Sequence, residues 1–509
     1  MRLKSIFLRL ACALITLITV LCSCSSNGQS SVSSGTESQV SGISWRGAVC
    51  LPFSKKDSLN PFKAETKQNK ELTKLLFDPL IKINENFDSE AFIAESYSYE
   101  NKKCTVKLKA ISFTDGRELT ADDVLYSFNH AKSSETYSKQ LEQISASAAD
   151  SKTVVFSIAY SDPNMINLLD FPIIKSGSAD LKDDNNRSIP PIGCGRYLFA
   201  DDSGLKLTAN PSYYNGSISV DSITLVDCPD DSSLSHYAAS GSISAIYSDM
   251  SDNTVPKKSG DSLKIPTTNL VFIGVNCSKE KLSDAKMRLA ISSAIDRTVI
   301  CEEGYYGYAN AASGIFPPSW SQTKNFESIN VTQNIEQTVA YFNAIGYNDT
   351  DSDGYLADEN GSKLSFTLMY NGDNSARAAS AAKIVTQLKK CGVEIILNEV
   401  DYSTYSSNLA SGNYELYIGE IKLPKSLYLG SILSSSVIPG YPDSSDAVEM
   451  FRQYYDGTCE IGAAVSAFAS EMPFIPLCYR CGVTVASDWL SDSLKVSISD
   501  VYNGIENCK

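Results

Sequence analysis

Mixed α/β layers spread over two or three domains are the architecture this sequence predicts, and three observations predict it. The chain has 509 residues, more than one ordinary hydrophobic core accommodates. Segments of helical and strand period alternate along it, the pattern of layered α/β folds. Its composition, 43% hydrophobic and 20% charged, is globular and excludes wholesale disorder. The formal net charge of −15 disfavours nucleic acid as a partner, because such binders cluster Lys and Arg.

The first residues stand outside this pattern. Arg2, Lys4 and Arg9 precede the apolar run LACALITLITVLC (10–22), too short to span a bilayer comfortably. Residues 1–23 therefore read as a signal peptide. The run ends in Leu21-Cys22-Ser23-Cys24, which resembles the bacterial lipobox. The resemblance implies cleavage before Cys24 and a diacylglyceryl thioether on its sulfur. Several acyl chains on one residue anchor firmly, at roughly 0.8 kcal/mol per buried CH₂. Eight of the residues in 25–42 are serine, with no apolar periodicity. A flexible coil of this length spans roughly 25 Å, which makes 24–44 a tether. No other stretch is long and apolar enough to cross a membrane.

Of the 14 cysteines, Cys12 and Cys22 leave with the signal and Cys24 is assigned to the lipid. The remaining 11 are an odd number, so at least one is expected free or paired between chains. CYRC (Cys478 to Cys481) is the only CxxC in the mature chain and lies in a strand-like run. Zinc needs four ligands, and His130 and His236 are the only histidines, so buried thiols or occasional disulfides are expected instead.

In the body of the chain, CTVKLKA (104–110) alternates: Cys104, Val106, Leu108 and Ala110 share one face of a half-buried strand. Asp115-Gly116 turns the chain. Thr120 then caps a helix with Asp123 as its capping-box partner, and Val124, Leu125, Phe128 and Ala131 form the apolar stripe. Asp122 and Asp123 suit the positive end of that helix, so they are read as caps, not as catalytic acids. Residues 283–300 predict a helix burying Met287, Ile291, Ala294, Ile295 and Val299. Residues 376–397 predict a helix, a left-handed turn at Gly392 and a strand, VEIIL.

The segment 92–131, with ESYSYENKKCTVKLKAISFTDGRELTADDVLYS, resembles the extracytoplasmic solute-binding proteins of family 5, the oligopeptide, dipeptide and nickel uptake class. LNPF (59–62), PPIGCGRYLF (190–199), ANPSYYNGSISVDSITL (209–225), LVFIGVN with its following helix (270–300) and PFIPL (473–477) occur in the family's order. The likeness runs over roughly residues 50–490 and rests on the number and order of these motifs. It implies an α/β, bilobal periplasmic-binding-protein-like fold with two hinge strands and an extra inserted subdomain. The expected division is lobe I at 45–77, 190–275 and 475–509, the inserted subdomain at 78–189, and lobe II at 276–474. LVFIGVN and FIPLCYRCG match the segments that link the lobes.

The same resemblance implies a lipid-anchored, monomeric, substrate-binding component of an ABC importer on the outer face of the cytoplasmic membrane. It would capture oligopeptides or a related small polar solute, need no cofactor, and meet permease subunits with their ATPases. The rival reading is a ligand-sensing or scavenging lipoprotein of the same fold, not coupled to transport. An enzyme is not expected. GCGRYL (193–198) lacks the third glycine of a nucleotide loop, and no nucleophile-elbow, phosphate-loop or zinc-protease motif occurs. Nickel favours imidazole or a small chelator, and both histidines lie in scaffold segments.

Two groups of site residues remain. DTDSDGYLADEN (349–360) carries Asp349, Asp351 and Asp353 at the first three ligand positions of a calcium loop, with Asn360 where a bidentate glutamate belongs. A solvated turn or a weak calcium site both fit. For the ligand itself, Asn60, Phe62, Asn269, Val271, Gly419 and Glu420 are the expected contacts. Peptide binders of the family hold the peptide's α-ammonium on an aspartate within a segment matching NYELYIGEIKLPKSLYLG (413–430). Here that aspartate is missing. Either Glu420 takes the role, with Lys422 and Lys425 close behind, or the ligand has no free amine there.

Overall fold

The structure is a computed structural model that describes residues 48–186, 188–200, 204–326, 328–442 and 444–508. The signal segment, Cys24 and the tether lie outside the described residues. Residues 47–509 form one compact unit.

Two long strands organise this unit. Asp261–Val275 and Phe474–Ala486 pair antiparallel along most of their length, with the register interrupted between Pro266 and Leu270. Proline donates no backbone hydrogen bond, so a break in the ladder is expected at Pro266. Side chains cover the gap. Thr267 Oγ1 donates to the Arg480 carbonyl at 2.6 Å, and Thr268 Oγ1 to that of Leu423 at 2.7 Å. The break separates two half-sheets. On the Asp261 side, Ala245–Ser248 pairs with the end of Phe474–Ala486. On the Val275 side, Leu416–Lys422 pairs with Asn269–Val275, and Ser365–Asn371 and Glu394–Val400 follow.

Beside the first half-sheet lies a four-stranded sheet of Val49–Phe53, Ser222–Asp227, Lys206–Ala209 and Tyr197–Phe199. A separate four-stranded antiparallel sheet holds Ala94–Glu100, Lys103–Leu108, Thr153–Ile158 and Ile144–Asp150. The alternating strand belongs here. Cys104, Val106 and Leu108 are buried as their parity requires, but the strand ends at Leu108 and Ala110 is exposed, with Ile111 buried instead. The helix after it runs Ala121–Lys132. Thr120 N–H donates to Asp123 Oδ2 at 2.9 Å, and the other carboxylate oxygen accepts from Ser176 N–H at 2.8 Å and from Arg117. Asp123 therefore closes the helix start, and Val124, Phe128 and Ala131 fill the core.

The helix expected over 283–300 is divided. Ala285–Ser293 is one helix and Arg297–Val299 begins another, which leaves Val299 half-buried and Ile300 buried. The cause is polar. Asp296 Oδ1 accepts from Val299 N–H at 3.1 Å, capping a new start. The fully buried Arg297 donates to the carbonyls of Pro476 at 2.7 Å and Asn330 at 2.9 Å. It thus fastens the helix to the second long strand. The helix Ser375–Lys390 ends as expected, with Gly392 at φ +80° leading to Glu394–Val400.

All 11 described cysteines are free thiols, nine of them buried. Burial pushes the thiols of Cys104 and Cys481 up to about 12, which keeps them protonated and unreactive. Among the described residues, no helix is long and apolar enough to cross a membrane.

Candidate functional site

In the second half-sheet, Glu394–Val400 and Leu416–Lys422 both run parallel to Ser365–Asn371 and flank it on opposite sides. The order in which the chain adds strands therefore reverses at Ser365–Asn371. In open α/β sheets the crevice at such a switch point, beyond the carboxyl ends of the strands, is the natural ligand site. Here that crevice receives the end of Leu416–Lys422, the first turn of the helix Ser375–Lys390 and the interrupted segment of the long strands.

Glu420 sits at this place, and it is not free. Its Oε1 accepts from Arg480 Nε at 2.7 Å and pairs with a terminal nitrogen of the same guanidinium, also at 2.7 Å. Oε2 lies 3.7 Å from a terminal nitrogen of Arg377, beyond hydrogen-bond length. Arg480 also donates to the Met250 carbonyl at 2.8 Å. One carboxylate thus serves two guanidinium groups. Arg377 is left under-satisfied, its buried Nε without a hydrogen-bond partner among the described residues.

Lys422 stands two residues on, opposite Asn269 in the strand pairing. Its side chain makes no ion pair or hydrogen bond among the described residues. The residue is exposed at the strand end; partial desolvation first, and the neighbouring Lys425 second, lower its pKa, while Asp170 and Asp249 act the other way. Lys425 itself is ion-paired with Asp170. This pair borders a pocket lined by Thr73, Lys74, Phe77, Tyr137 and Pro172. Lys74 is neutralised by Glu71 at 2.6 Å.

Beyond the pocket, a seam joins the segment 160–170 to the segment 425–455. Tyr160 stacks on Tyr428 at 4.2 Å between centroids, and Tyr428 meets Tyr455 at 4.5 Å. Ser161 Oγ donates to the Tyr455 carbonyl at 2.8 Å. Asp162 is wholly buried in this seam, with Oδ2 unpartnered among the described residues. Burial pushes its carboxyl up to about 7, against the weaker pull of the neighbouring Ser426 hydroxyl and the Asn164 N–H.

The expected contact residues divide accordingly. Asn269 and Glu420 reach the crevice, and Val271 lies buried beneath them, opposite Glu420. Gly419 belongs to the packing side, where a Cβ would meet the Phe272 ring at 2.7 Å. Asn60 and Phe62 sit one layer behind the wall. Asn60 Nδ2 donates to the Ala179 carbonyl at 2.8 Å, and Phe62 stacks on His130 and meets Tyr137 edge-on. His236 lies on the helix Asp231–Ala239.

The acidic turn is occupied by its own partners. Asp351 Oδ1 accepts backbone N–H groups of Asp353 at 2.9 Å and Tyr355 at 2.8 Å. Lys363 places its ammonium 3.5 Å from Asp351 and 3.7 Å from Asp353. The lysine thus lies beside two of the three candidate ligands, and among the described residues no group of three acidic, His or Cys side chains is arranged for a metal.

Reading the sequence alone missed Arg377 and Arg480. A charged residue inside the apolar strand FIPLCYRCGVTVA was the available signal for Arg480, overshadowed by its flanking cysteines.

Residues 90–423 match the model of the bacterial extracellular solute-binding proteins, family 5. The oligopeptide-binding protein AppA of Bacillus subtilis is 28% identical over 367 residues, covering 68% of this chain and 67% of that protein. A probable di/tripeptide-binding protein of Pseudomonas aeruginosa is 26% identical, over 42% of this chain and 46% of its own length. Among solved structures, a nickel ABC transporter protein of Bacillus halodurans superposes with a TM-score of 0.71 at 18% identity, covering 87% of this chain and 95% of that one. NikA from Brucella suis, in complex with Fe(III)-EDTA, superposes at 0.64 and 16% identity, covering 90% and 99%. These structures share the bilobal α/β architecture. The chain belongs to the bacterial extracellular solute-binding proteins of family 5.

Proposed function

We propose that this protein is the lipid-anchored receptor of an ABC importer, and that it captures oligopeptides or a related small polar solute in the crevice between Leu416–Lys422 and the Lys74 pocket. The observation that carries the reading is the switch point at Ser365–Asn371. It lies beside two strands that run through both half-sheets, and Glu420, Arg377 and Arg480 converge there. A segment hinged on two strands closes over a ligand by small backbone changes at the interruption. An extended peptide is held there through main-chain groups, which leaves its side chains in wider space. The peptide-binding names of the Bacillus and Pseudomonas relatives support this class of ligand. Permease subunits and their ATPases are the partners this role requires. The protein acts by binding and carries out no chemistry on its cargo.

Native mass spectrometry of the gently purified protein, followed by denaturation to release co-purified molecules, tests the ligand class. A ladder of short peptides is expected. A single non-peptide mass would leave the receptor role standing and replace the substrate class. For the anchor, Cys24→Ala is expected to release the protein from membranes; retention with unchanged processing would refute it.

A further inference from the structure

We propose that the crevice selects a ligand by an anionic group, a carboxylate or equivalent oxyanion, received by Lys422 and Arg377 on either side of Glu420, and that it does not hold a ligand ammonium. The inference rests on the reading that this crevice is the ligand site, and it specifies the charge of what binds.

Three observations carry it. Glu420 is the carboxylate near the end of Leu416–Lys422, and Arg480 occupies it with two contacts of 2.7 Å. An incoming ammonium would have to compete with that paired guanidinium and face Arg377 as well. Arg377 has a buried Nε with no partner among the described residues and only a long approach to Glu420, so part of its planar donor set is unused there. Guanidinium groups favour two-point contact with carboxylates. Lys422 is the third observation. The neighbouring cations Lys74 and Lys425 have Glu71 and Asp170, while Lys422 makes no ion pair among the described residues. Lys422 is exposed at the end of its strand, so its ammonium is accessible to an incoming anion. This cationic crevice occurs in a chain of net charge −15, so no general basicity accounts for it.

Three forms of hexa-alanine serve as probes, titrated into the purified full-length protein by calorimetry. One has free ends, one is N-acetylated with a free carboxylate, and one has a free amine with a C-terminal amide. The acetylated, anionic form is expected to bind at least as tightly as the free form, and the amidated, cationic form at least tenfold more weakly. Lys422→Glu is expected to reverse that order, and Lys422→Ala to weaken the anionic form about tenfold, both with unchanged thermal unfolding. Preference for the cationic form, or variants that leave the order unchanged, would overturn the proposal. If no peptide form binds, the peptide reading falls, and citrate becomes the probe. Citrate binding lost in Lys422→Glu would then support the anion site, and no binding of citrate would overturn it.

Discussion

Two charged clusters in this molecule use the same residue types to opposite ends. In the first, Asp500 accepts from Lys82 at 2.9 Å and from Arg196 at 2.8 Å, and Arg196 also reaches Glu506 at 3.3 Å. Asp78 completes it, 4.0 Å from Lys82. Arg196 and Asp500 are each 1% exposed, and the two cations hold the Asp500 carboxyl well below the usual range despite its burial. In the second, around Glu420, two guanidinium groups share one carboxylate and Lys422 pairs with none among the described residues. The first cluster pairs its charges and is closed to water, although Arg196 Nε, Asp78 Oδ1 and Glu506 Oε2 lack hydrogen-bond partners among the described residues, and it ties the C-terminal segment to the strand Ile81–Ile83. The second is unbalanced and open to the crevice. Balance and burial mark a structural clamp, whereas an accessible surplus of one sign is a site waiting for its partner.

The sharpest way to break this contrast is to cut the clamp. Arg196→Ala is expected to destabilise the protein by ~3–5 kcal/mol, because it leaves the buried Asp500 and the half-buried Glu506 with less compensation. Chemical unfolding monitored by circular dichroism should show it; an unchanged midpoint would deny the clamp its role.

Asp162 supplies the next largest effect, with a definite sign. Its carboxyl is raised to about 7 in the folded seam, so the native state holds a proton that the unfolded chain releases near pH 4. Its contribution is full below pH 4 and is lost as pH rises through 7. Stability should therefore fall on the order of a few kcal/mol between pH 5 and pH 9. Asp162→Asn should flatten that slope. Tyr99, Tyr160, Tyr428, Tyr454 and Tyr455 surround this group, so no nearby base compensates the charged form. A stability curve indifferent to the Asn substitution over this range would assign the slope elsewhere.

At the open cluster, Glu420→Gln frees Arg480 and Arg377 from their shared carboxylate. Binding of the acetylated hexapeptide should strengthen severalfold, at ~1–2 kcal/mol of lost stability. If Glu420 were an ammonium anchor, the same change would instead abolish binding of the free-amine peptide. The smallest effect belongs to the acidic turn. Lys363→Ala should change stability by under ~1 kcal/mol, since its pairs are exposed, and millimolar calcium should leave the melting temperature of the native protein unmoved.

Much of the fold was legible in the residues. The alternation of Cys104, Val106 and Leu108, the Thr120–Asp123 helix start and the turn at Gly392 each depend on neighbours a few positions away. Reading failed where a distant group intervened. The helix over 283–300 divides because Arg297 is drawn to the Pro476 carbonyl, 179 residues along the chain. The site suffered most from this. Glu420 stood out as an acid near two lysines, but its partner Arg480 lies 60 residues away, across the intervening long strand. Asn60 and Phe62 belong to a matching motif, yet only packing against His130 and Tyr137 reveals that they support the wall from behind.

By itself, then, the sequence determined the local elements, the order of the motifs and the lack of any aspartate in the segment 413–430. Each of these is a short-range or positional property. Tertiary structure alone decided which charges are matched and which are left over. Whether Glu420 is a free anchor or a paired one turns on Arg480 and Arg377, and electrostatic pairing is set by distance in space.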